Sequence, residues 1–321
     1  MRGNRYKPTA ADPRHGTYYH LISRVAGDPK DLPFGEPEKE QFIKTMKRLA
    51  AYYTLDLLAW QVMGNHFHIV AFAPERPPSP EEAARRYRAY HNDKKVLDPD
   101  TPECHALTEK LRDISCFMHD LLQQFAAWYN KTHGGRRGSL WAGRFKNPIL
   151  EPRQTLLSLI TYVELNAVRA KLVADPADYR FGSWGEWSAT GTHPFAAALL
   201  RHLRYNFGEH TAAWTLADFH RELRTEFARI IEGEKTEATP DSIQQAMTEA
   251  AKPAPLTVFN RRVRYWSDGL AIGSRLFLRN LMAEWLPAEK VENHRTSPQF
   301  RPADSATATP ICAWRRLRVP G

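Results

Sequence analysis

One ten-residue stretch, residues 65–74, restricts the fold of this chain more than any other. It reads NHFHIVAFAP, with two histidines two positions apart and a proline at the end of an apolar run. Because side chains alternate between the faces of a strand, His66 and His68 are predicted to share one face with Val70. Two imidazoles on a stiff strand can supply half of a metal site. The alternative is a half-exposed strand whose histidines bind nothing.

A second segment, residues 153–173, is predicted to form one amphipathic helix. It reads RQTLLSLITYVELNAVRAKLV and is bordered by proline on both sides. Its apolar stripe at helical spacing consists of Leu156, Ile160, Val163 and Ala167. Tyr162, Asn166 and Arg169 follow at i, i+4 and i+7, which predicts a phenol, an amide and a guanidinium side by side on another face. Taken alone, this pattern also fits a solvated polar face.

A third segment, residues 131–146, is basic and contains no acidic residue. Its cations are Lys131, Arg136, Arg137, Arg144 and Lys146, and they alternate with four glycines and with Trp141 and Phe145. Glycine lets a backbone approach a ligand closely, cations neutralise phosphates, and aromatic rings stack on bases. These properties favour a phosphate-binding loop over a solvated one.

Four segments, taken together, resemble a known family. In chain order they read YYHLISRVAGDPKDLPFGEPEKEQF, GNHFHIV, RRGSLWAGRFKNPILE and TYVELNAVRAKLV. The second resembles the His-hydrophobic-His signature of the HUH-class single-tyrosine transposases, and the fourth resembles their nucleophile helix. The first and third resemble the opening strand and helix, and the segment before the nucleophile helix, of the REP-associated tyrosine transposases. The likeness spans about residues 15–188, and the family usually carries proline where Ala167 stands here.

This resemblance implies a reaction and a set of site residues. Tyr162 would attack a DNA phosphate and form a 5′-phosphotyrosine intermediate. His66 and His68 would bind a divalent metal, Mg²⁺ or Mn²⁺, with Asn166 as a third, oxygen-donating ligand. The DNA-binding residues would be Lys131, Arg136, Arg137, Trp141, Arg144, Phe145, Lys146 and Arg169. The implied partner is single-stranded DNA with a hairpin, and the implied form is a monomer in which Tyr162 acts on its own chain's histidines, with a dimer as the alternative.

The predicted fold class is α+β, with an antiparallel sheet, helices on one face and a helical C-terminal region. Periodicity predicts strands at Thr17–Val25 and Leu55–Met63, and helices at Glu36–Tyr53, Glu81–His91 and Ile114–Asn130. Gly64 and Asn65 are expected to join the second strand to the histidine strand as a tight antiparallel pair. The order of the strands does not follow from spacing, and a ferredoxin-like order is what the resemblance implies.

Two units are expected along the chain. Residues 1–188 would form the HUH domain, with a polar insertion at about 74–113 whose arginine-rich helix either contacts DNA or is simply solvated. Residues 189–321 would form a mainly helical region. Within it, residues 256–287 combine a basic stretch, a glycine-containing turn and a capped helix, which fits either a helix-turn-helix or a small helical cap. Residues 287–321 have the composition of a disordered tail.

Composition restricts the class of partner. The chain has 321 residues, a formal net charge of +9 and a pI of about 9.4, which favours an anionic partner. No apolar run reaches the ~18 residues of a membrane span, and the N-terminal stretch lacks the apolar core of a secretory signal. Three scattered cysteines predict reduced thiols rather than a disulfide framework. These features predict an intracellular protein, cytoplasmic and associated with the nucleoid, with no membrane partner.

Three matters stay open from sequence. The activity could instead be that of an HUH replication initiator or relaxase-type nickase, although those enzymes commonly use paired tyrosines or a longer histidine cluster. The chain could also be a catalytically inactive DNA-binding regulator that retains the fold. Two imidazoles suit manganese or zinc better than magnesium by ligand softness, so the metal is not decided.

Overall fold

The computed structural model describes residues 16–28, 30–135, 138–236, 266–267, 269–293 and 311–315. Arg136 and Arg137, residues 256–265 of the predicted helix-turn-helix and most of the predicted tail lie outside these ranges.

The described ranges begin with the strands and helices of a sheet, and a run of five α-helices follows the fourth strand. The first half contains β1 (Gly16–Arg24), α1 (Glu36–Tyr52), β2 (Asp56–Val62), β3 (His66–Pro74), α2 (Pro80–Tyr90), α3 (Pro102–Leu111) and α4 (Ile114–Thr132). Next come β4 (Ile149–Leu150), α5 (Gln154–Glu164), α6 (Asn166–Arg169), α7 (Ser183–Thr190), α8 (Ala196–Phe207) and α9 (Leu216–Thr236). The last described elements are β5 (Gly269–Gly273), α10 (Arg275–Ala283), α11 (Ala288–Asn293) and β6 (Cys312–Arg315).

The strands form one sheet in the order β2-β3-β1-β4-β5-β6. Its neighbouring strands run antiparallel except for β4 and β5, which are parallel. The predicted α+β class is therefore confirmed. The tight pair of β2 and β3 is also confirmed, since the backbone N–H of Met63 donates to the carbonyl of His66 at 2.8 Å across the turn.

Both faces of the sheet are covered, whereas the sequence predicted helices on one face only. On one face, Phe67 packs against Phe42 of α1 with ring centroids 4.5 Å apart, in a cluster that also holds Phe125 of α4. On the other face, Val70 belongs to a second cluster with residues of α5, α8 and α9. A strand buried on both faces reads as a continuous apolar run, and its sequence therefore does not reveal which faces are covered.

The C-terminal region contributes strands to this sheet. The glycine-containing stretch predicted as the turn of a helix-turn-helix is β5, which pairs in parallel with β4, so that prediction is wrong for the described residues. The predicted N-cap at Ser274 is confirmed, because its hydroxyl accepts the N–H of Phe277 at 3.1 Å. Cys312–Arg315, predicted as part of a disordered tail, forms β6 against β5. Short strands of this kind depend on an edge supplied from elsewhere in the chain.

The insertion between β3 and α4 holds two helices, α2 and α3, of which only α2 was predicted. The arginines of α2 are engaged locally. Arg85 and Arg86 both donate to Glu82, and Arg86 also donates to the carbonyls of Ala51 and Tyr53 at 2.9 and 2.8 Å. These contacts fasten α2 to the end of α1 and favour the structural interpretation of its charges over a DNA contact.

Two further features concern the helices and the cysteines. Within the described ranges, no helix is both long and apolar enough to cross a lipid bilayer. No disulfide joins the three cysteines, as predicted, and Cys104 and Cys312 are buried.

Candidate active site

The histidine pair lies on the sheet face that packs against α5. His66 and His68 share this face as the alternation predicts, with ring centroids 5.2 Å apart and ring planes at 88°. His68 is 2% exposed and His66 is half-buried. The two rings therefore sit at the boundary between the protein interior and a surface cleft.

The side chain of Asn65 fixes the protonation of His66. The amide nitrogen of Asn65 donates to the carbonyl of Asp31 at 3.0 Å, which turns its oxygen towards His66 Nδ1, 2.7 Å away. An amide oxygen can only accept, so Nδ1 of His66 carries the hydrogen and Nε2 keeps a lone pair. Burial, with a smaller contribution from Arg24, lowers the pKa of His66 to about 4. The ring is therefore neutral at pH 7 and has the form that a metal ligand requires.

His68 has a different partner, which sequence reasoning missed. Its Nδ1 lies 2.9 Å from Nε2 of His20, a fully buried residue of β1 whose own Nδ1 lies 3.0 Å from the carbonyl oxygen of Trp266. Burial lowers the pKa of His20 to about 3, opposed by the Trp266 carbonyl, and burial also lowers the pKa of His68 well below its usual range. Nε2 of His68 is buried without a hydrogen-bond partner among the described residues. The sequence signal for His20 is its alternation with Tyr18 and Ile22 on one face of a predicted strand, but this pattern does not indicate its pairing with His68.

Tyr162 of α5 lies directly over this face. Its ring centroid is 5.8 Å from that of His68 at 89°, and 5.7 Å from that of Trp266. The side chain is 1% exposed, and its hydroxyl finds no hydrogen-bond partner in the described ranges. Burial raises the pKa of Tyr162 to about 12, and the charge of Arg169 opposes that rise. The phenol is thus held next to the histidines in its protonated form.

The predicted helix 153–173 is divided at Leu165, whose ψ of 0° ends α5 before α6 begins. The side-chain amide of Asn166 donates to the carbonyls of Tyr162 and Val163 at 3.1 and 3.4 Å, which competes with regular helical pairing. Its Oδ1 is therefore the atom that remains for a metal. Arg169, predicted to bind DNA, donates to the carbonyl of Tyr162 at 3.2 Å, with its guanidinium carbon 5.5 Å from that ring's centroid.

A buried carboxyl group anchors the end of α5. Glu164 accepts the Ser183 hydroxyl at 2.5 Å and the Trp184 N–H at 3.2 Å, both in the first turn of α7. Burial raises the pKa of Glu164 to about 8, and these two hydrogen bonds oppose the rise. The backbone carbonyl of the same residue accepts from the Gln61 amide at 3.1 Å. This connection to β2 and α7 fixes the position of the helix that carries Tyr162.

A cleft of about 570 Å³ opens in front of the histidine pair. Its walls include both histidines and three cations, Arg24, Arg144 and Lys146, and none of the described residues that line it is acidic. Arg24 was not predicted; it lies directly opposite His66 in the β1–β3 register. Tyr162 is not among the lining residues. The cleft can accept an anion beside the histidines, while the phenol lies behind them.

The other residues of the predicted basic loop have different positions. The indole N–H of Trp141 donates to the Leu122 carbonyl at 3.0 Å, and its ring packs near Phe34 and Phe125 in the core on the opposite face. Phe145 is half-buried against the same core. Lys131 is exposed at the end of α4 and does not line the cleft. Both predicted stacking rings therefore contact the core, and their stacking on bases stays a prediction.

Nε2 of His66 and Nε2 of His68 are the ring nitrogens that a divalent metal could bind. No group of three His, Cys, Asp or Glu side chains suited to a metal occurs in the part of the chain that the structure describes. The predicted third ligand, Asn166, is not among the described residues that line the cleft. The observation that bears on a metal is His68 Nε2, a buried ring nitrogen with no hydrogen-bond partner among the described residues. A buried polar atom of this kind is costly unless it has a partner.

Comparisons with known proteins give one weak likeness. No protein-family model matches the chain, and no curated protein matches its sequence. The chain is similar to a solved structure of a REP-associated tyrosine transposase bound to a REP hairpin, with 14% sequence identity and a TM-score of 0.38. The alignment covers 61% of this chain and 90% of that one. A likeness of this size does not identify an activity.

Proposed function

We propose that this chain is a metal-dependent endonuclease and strand transferase of single-stranded DNA, a transposase with Tyr162 as its nucleophile. The observation that carries the proposal is the juxtaposition of three features on one sheet face. His66 and His68 share that face, the ring of Tyr162 lies 5.8 Å from that of His68, and a cleft with three cations opens beside them. A nucleophile, a ligand pair and a phosphate-binding wall are the parts that phosphodiester transfer needs.

His66, His68 and Asn166 would hold the metal, Mg²⁺ or Mn²⁺. When bound, the metal would polarise the scissile phosphate and orient it. The protein's own contribution is to keep both imidazoles neutral by burial. It also surrounds the site with cations rather than carboxylates, so that an anionic strand is attracted. Arg24, Arg144 and Lys146 would bind the phosphates that flank the reacting one.

Tyr162 Oη would attack phosphorus and displace the 3′ oxygen of the preceding nucleotide. The phenolic proton is lost to solvent and the leaving 3′ oxygen takes one up, so the products are a 5′-phosphotyrosine and a free 3′-OH. Because this link conserves the phosphodiester, a later 3′-OH can reverse the step and join a strand without ATP. The hydroxyl is buried here, so the proposal requires α5 or the Tyr162 side chain to move towards the cleft when DNA binds.

One observation favours a second candidate, a DNA-binding protein without catalytic activity. The Tyr162 hydroxyl is buried away from the cleft, and burial raises the pKa of this residue to about 12. A protein of this kind would use the same cationic cleft to bind DNA and would never expose the phenol.

We assign catalysis to residues 1–188 and propose that the C-terminal region completes the site. Ser267 lines the cleft, and Trp266 packs on Tyr162. We further propose that the protein acts as a monomer, with Tyr162 serving the histidines of its own chain. Mixing Tyr162→Phe protein with His66→Ala protein tests the monomer proposal, because recovered cleavage would require the tyrosine of a second protein molecule.

The decisive experiment uses single-stranded hairpin DNA labelled at its 3′ end, incubated with Mn²⁺ and protein and separated on a denaturing protein gel. A 5′-phosphotyrosine carries the labelled 3′ fragment, so we expect a shifted, labelled protein band. Tyr162→Phe should bind the same DNA in a native gel and give no band. If the wild-type protein binds this DNA tightly and forms no covalent band with either Mn²⁺ or Mg²⁺, the inactive DNA-binding candidate is supported instead.

A further inference from the structure

His20 is a buried polar residue that the proposed mechanism does not use. It lies at the centre of β1, is 0% exposed, and joins His68 to the backbone carbonyl of Trp266 through its two ring nitrogens. A histidine in such a position costs free energy unless both nitrogens are satisfied, and here both are.

The hydrogen-bond geometry determines which nitrogen carries each proton. A carbonyl oxygen can only accept, so His20 Nδ1 must be the donor to Trp266. A fully buried imidazole stays neutral, so Nε2 of His20 has a lone pair and must accept. The remaining partner, Nδ1 of His68, is then the donor across the 2.9 Å contact. The two ring planes lie at 19° to each other, with centroids 5.0 Å apart.

We propose that His20, locked by the Trp266 carbonyl, is a positioning residue that fixes the Nδ1–H tautomer of His68 and so leaves its Nε2 lone pair ready for a metal. The assignment of the tautomer depends on geometry alone, whereas the use of the lone pair by a metal rests on the proposed function. Partners of this kind on the far nitrogen of a ligating histidine set its tautomer and ring orientation.

Separate hydrogen-bond partners thus set the tautomers of the two proposed metal-binding histidines, and in both rings Nε2 is the nitrogen without a hydrogen. Asn65, itself fixed by the carbonyl of Asp31, orients His66, whereas His20 and a segment far along the chain orient His68. Both partners are uncharged acceptors. A carboxylate in either place would place a negative charge beside the approaching phosphodiester, and neutral acceptors avoid that repulsion.

Two substitutions separate tautomer control from packing. His20→Phe keeps a planar ring in the core and removes the acceptor, which frees His68 to place its proton on Nε2. His20→Gln offers a side-chain oxygen near the former Nε2 position and keeps an acceptor for His68. Histidine tautomers are read by two-bond ¹H–¹⁵N correlation in the metal-free protein, and Mn²⁺ affinity is measured by calorimetry on the full chain without DNA.

We expect the wild type to show the Nδ1–H tautomer at His68. His20→Phe should lose this tautomer, and its affinity for Mn²⁺ should fall by about 10–100-fold. His20→Gln should keep the tautomer and the Mn²⁺ affinity nearly unchanged. An Nε2–H tautomer at His68 in the wild-type protein would overturn the proposal, and so would a His20→Phe variant that retains the wild-type tautomer and affinity. If the tautomers behave as expected and Mn²⁺ binds to none of the proteins, the inference on His20 stands and the proposed metal-dependent function fails.

Discussion

The ring of Tyr162 stands at 89° to the ring of His68, with centroids 5.8 Å apart, and the hydroxyl of this buried phenol has no hydrogen-bond partner among the described residues. An unsatisfied buried hydroxyl destabilises a folded protein by about 1–3 kcal/mol. Such a cost usually occurs at a group that makes a functional interaction in another conformation of the protein. The relationship therefore leads to a prediction about both activity and stability.

Tyr162→Phe should abolish covalent attachment to DNA and leave the folded state as stable as the wild type or slightly more stable. The ring and its contacts with His68 and Trp266 remain, and only the unsatisfied oxygen is removed. Thermal unfolding and the gel assay on one preparation measure both effects. A lower melting temperature in this variant would show that the hydroxyl makes a stabilising contact.

His66→Ala should remove Mn²⁺ binding at little cost in stability, because this side chain is half-buried at the edge of the cleft. Calorimetric titration with Mn²⁺ and a urea unfolding curve give the two quantities. His119→Ala, which replaces an exposed histidine on α4, is the matched control and should bind Mn²⁺ as the wild type does. Equal Mn²⁺ affinity in all three proteins would remove His66 from the metal site.

Neutralising Arg24, Arg144 and Lys146 with glutamine should weaken binding to single-stranded DNA and reduce its salt dependence. With ~0.7 counterions released per phosphate contact, the slope of log K against log salt should fall by about 2. The control replaces Arg85, Arg88 and Arg221, each of which pairs with a neighbouring carboxylate outside the cleft. If both triple variants change the slope equally, binding follows net charge and not the cleft.

Glu164→Ala should lower the free energy of unfolding by about 2–4 kcal/mol, since it leaves the Ser183 hydroxyl and the Trp184 N–H without their acceptor and opens a cavity. Glu164→Gln retains an acceptor oxygen and should cost less. Urea denaturation of the two variants gives the comparison. Equal losses would mean that side-chain volume, and not hydrogen bonding, holds α5 against α7.

His193 should make folding sensitive to acid. It is buried between Trp60 and Trp187, and burial, followed by the charge of Lys47, lowers its pKa from 6.5 to about 4. Below pH 6.5 the His193 imidazole is protonated in the unfolded chain but stays neutral in the folded protein. Stability is therefore lost as pH falls from 6.5 towards 4, by up to about 1.4 kcal/mol per pH unit.

The variant His193→Asn isolates this contribution, because it keeps an acceptor near the position of Nδ1 and does not titrate. Urea unfolding at pH 7.5, 6, 5 and 4.5 should show a shallower loss of stability than in the wild type. The exposed His105→Asn provides the comparison. Parallel curves for His193→Asn and the wild-type protein would contradict the prediction.

Local periodicity in the sequence determined much of the candidate site. Alternation placed His66 and His68 on one face of β3, and helical spacing placed Tyr162, Asn166 and Arg169 close together. The tight turn before His66 and the N-cap at Ser274 also followed from the residues themselves. These features depend on neighbours within a few positions, where the geometry of a strand, a turn or a helix end is decided by the chain alone.

Only the tertiary structure decided which distant residues complete the site. His20 meets His68 across 48 positions and Trp266 across 246, and no periodicity encodes either pairing. The same holds for β5, which pairs with β4, a strand more than a hundred residues earlier. It also holds for Trp141, which was predicted to contact DNA and which donates to the Leu122 carbonyl in the structure. Long-range strand pairing and the burial of apolar rings depend on the surfaces left exposed by the rest of the fold, so local sequence does not specify them.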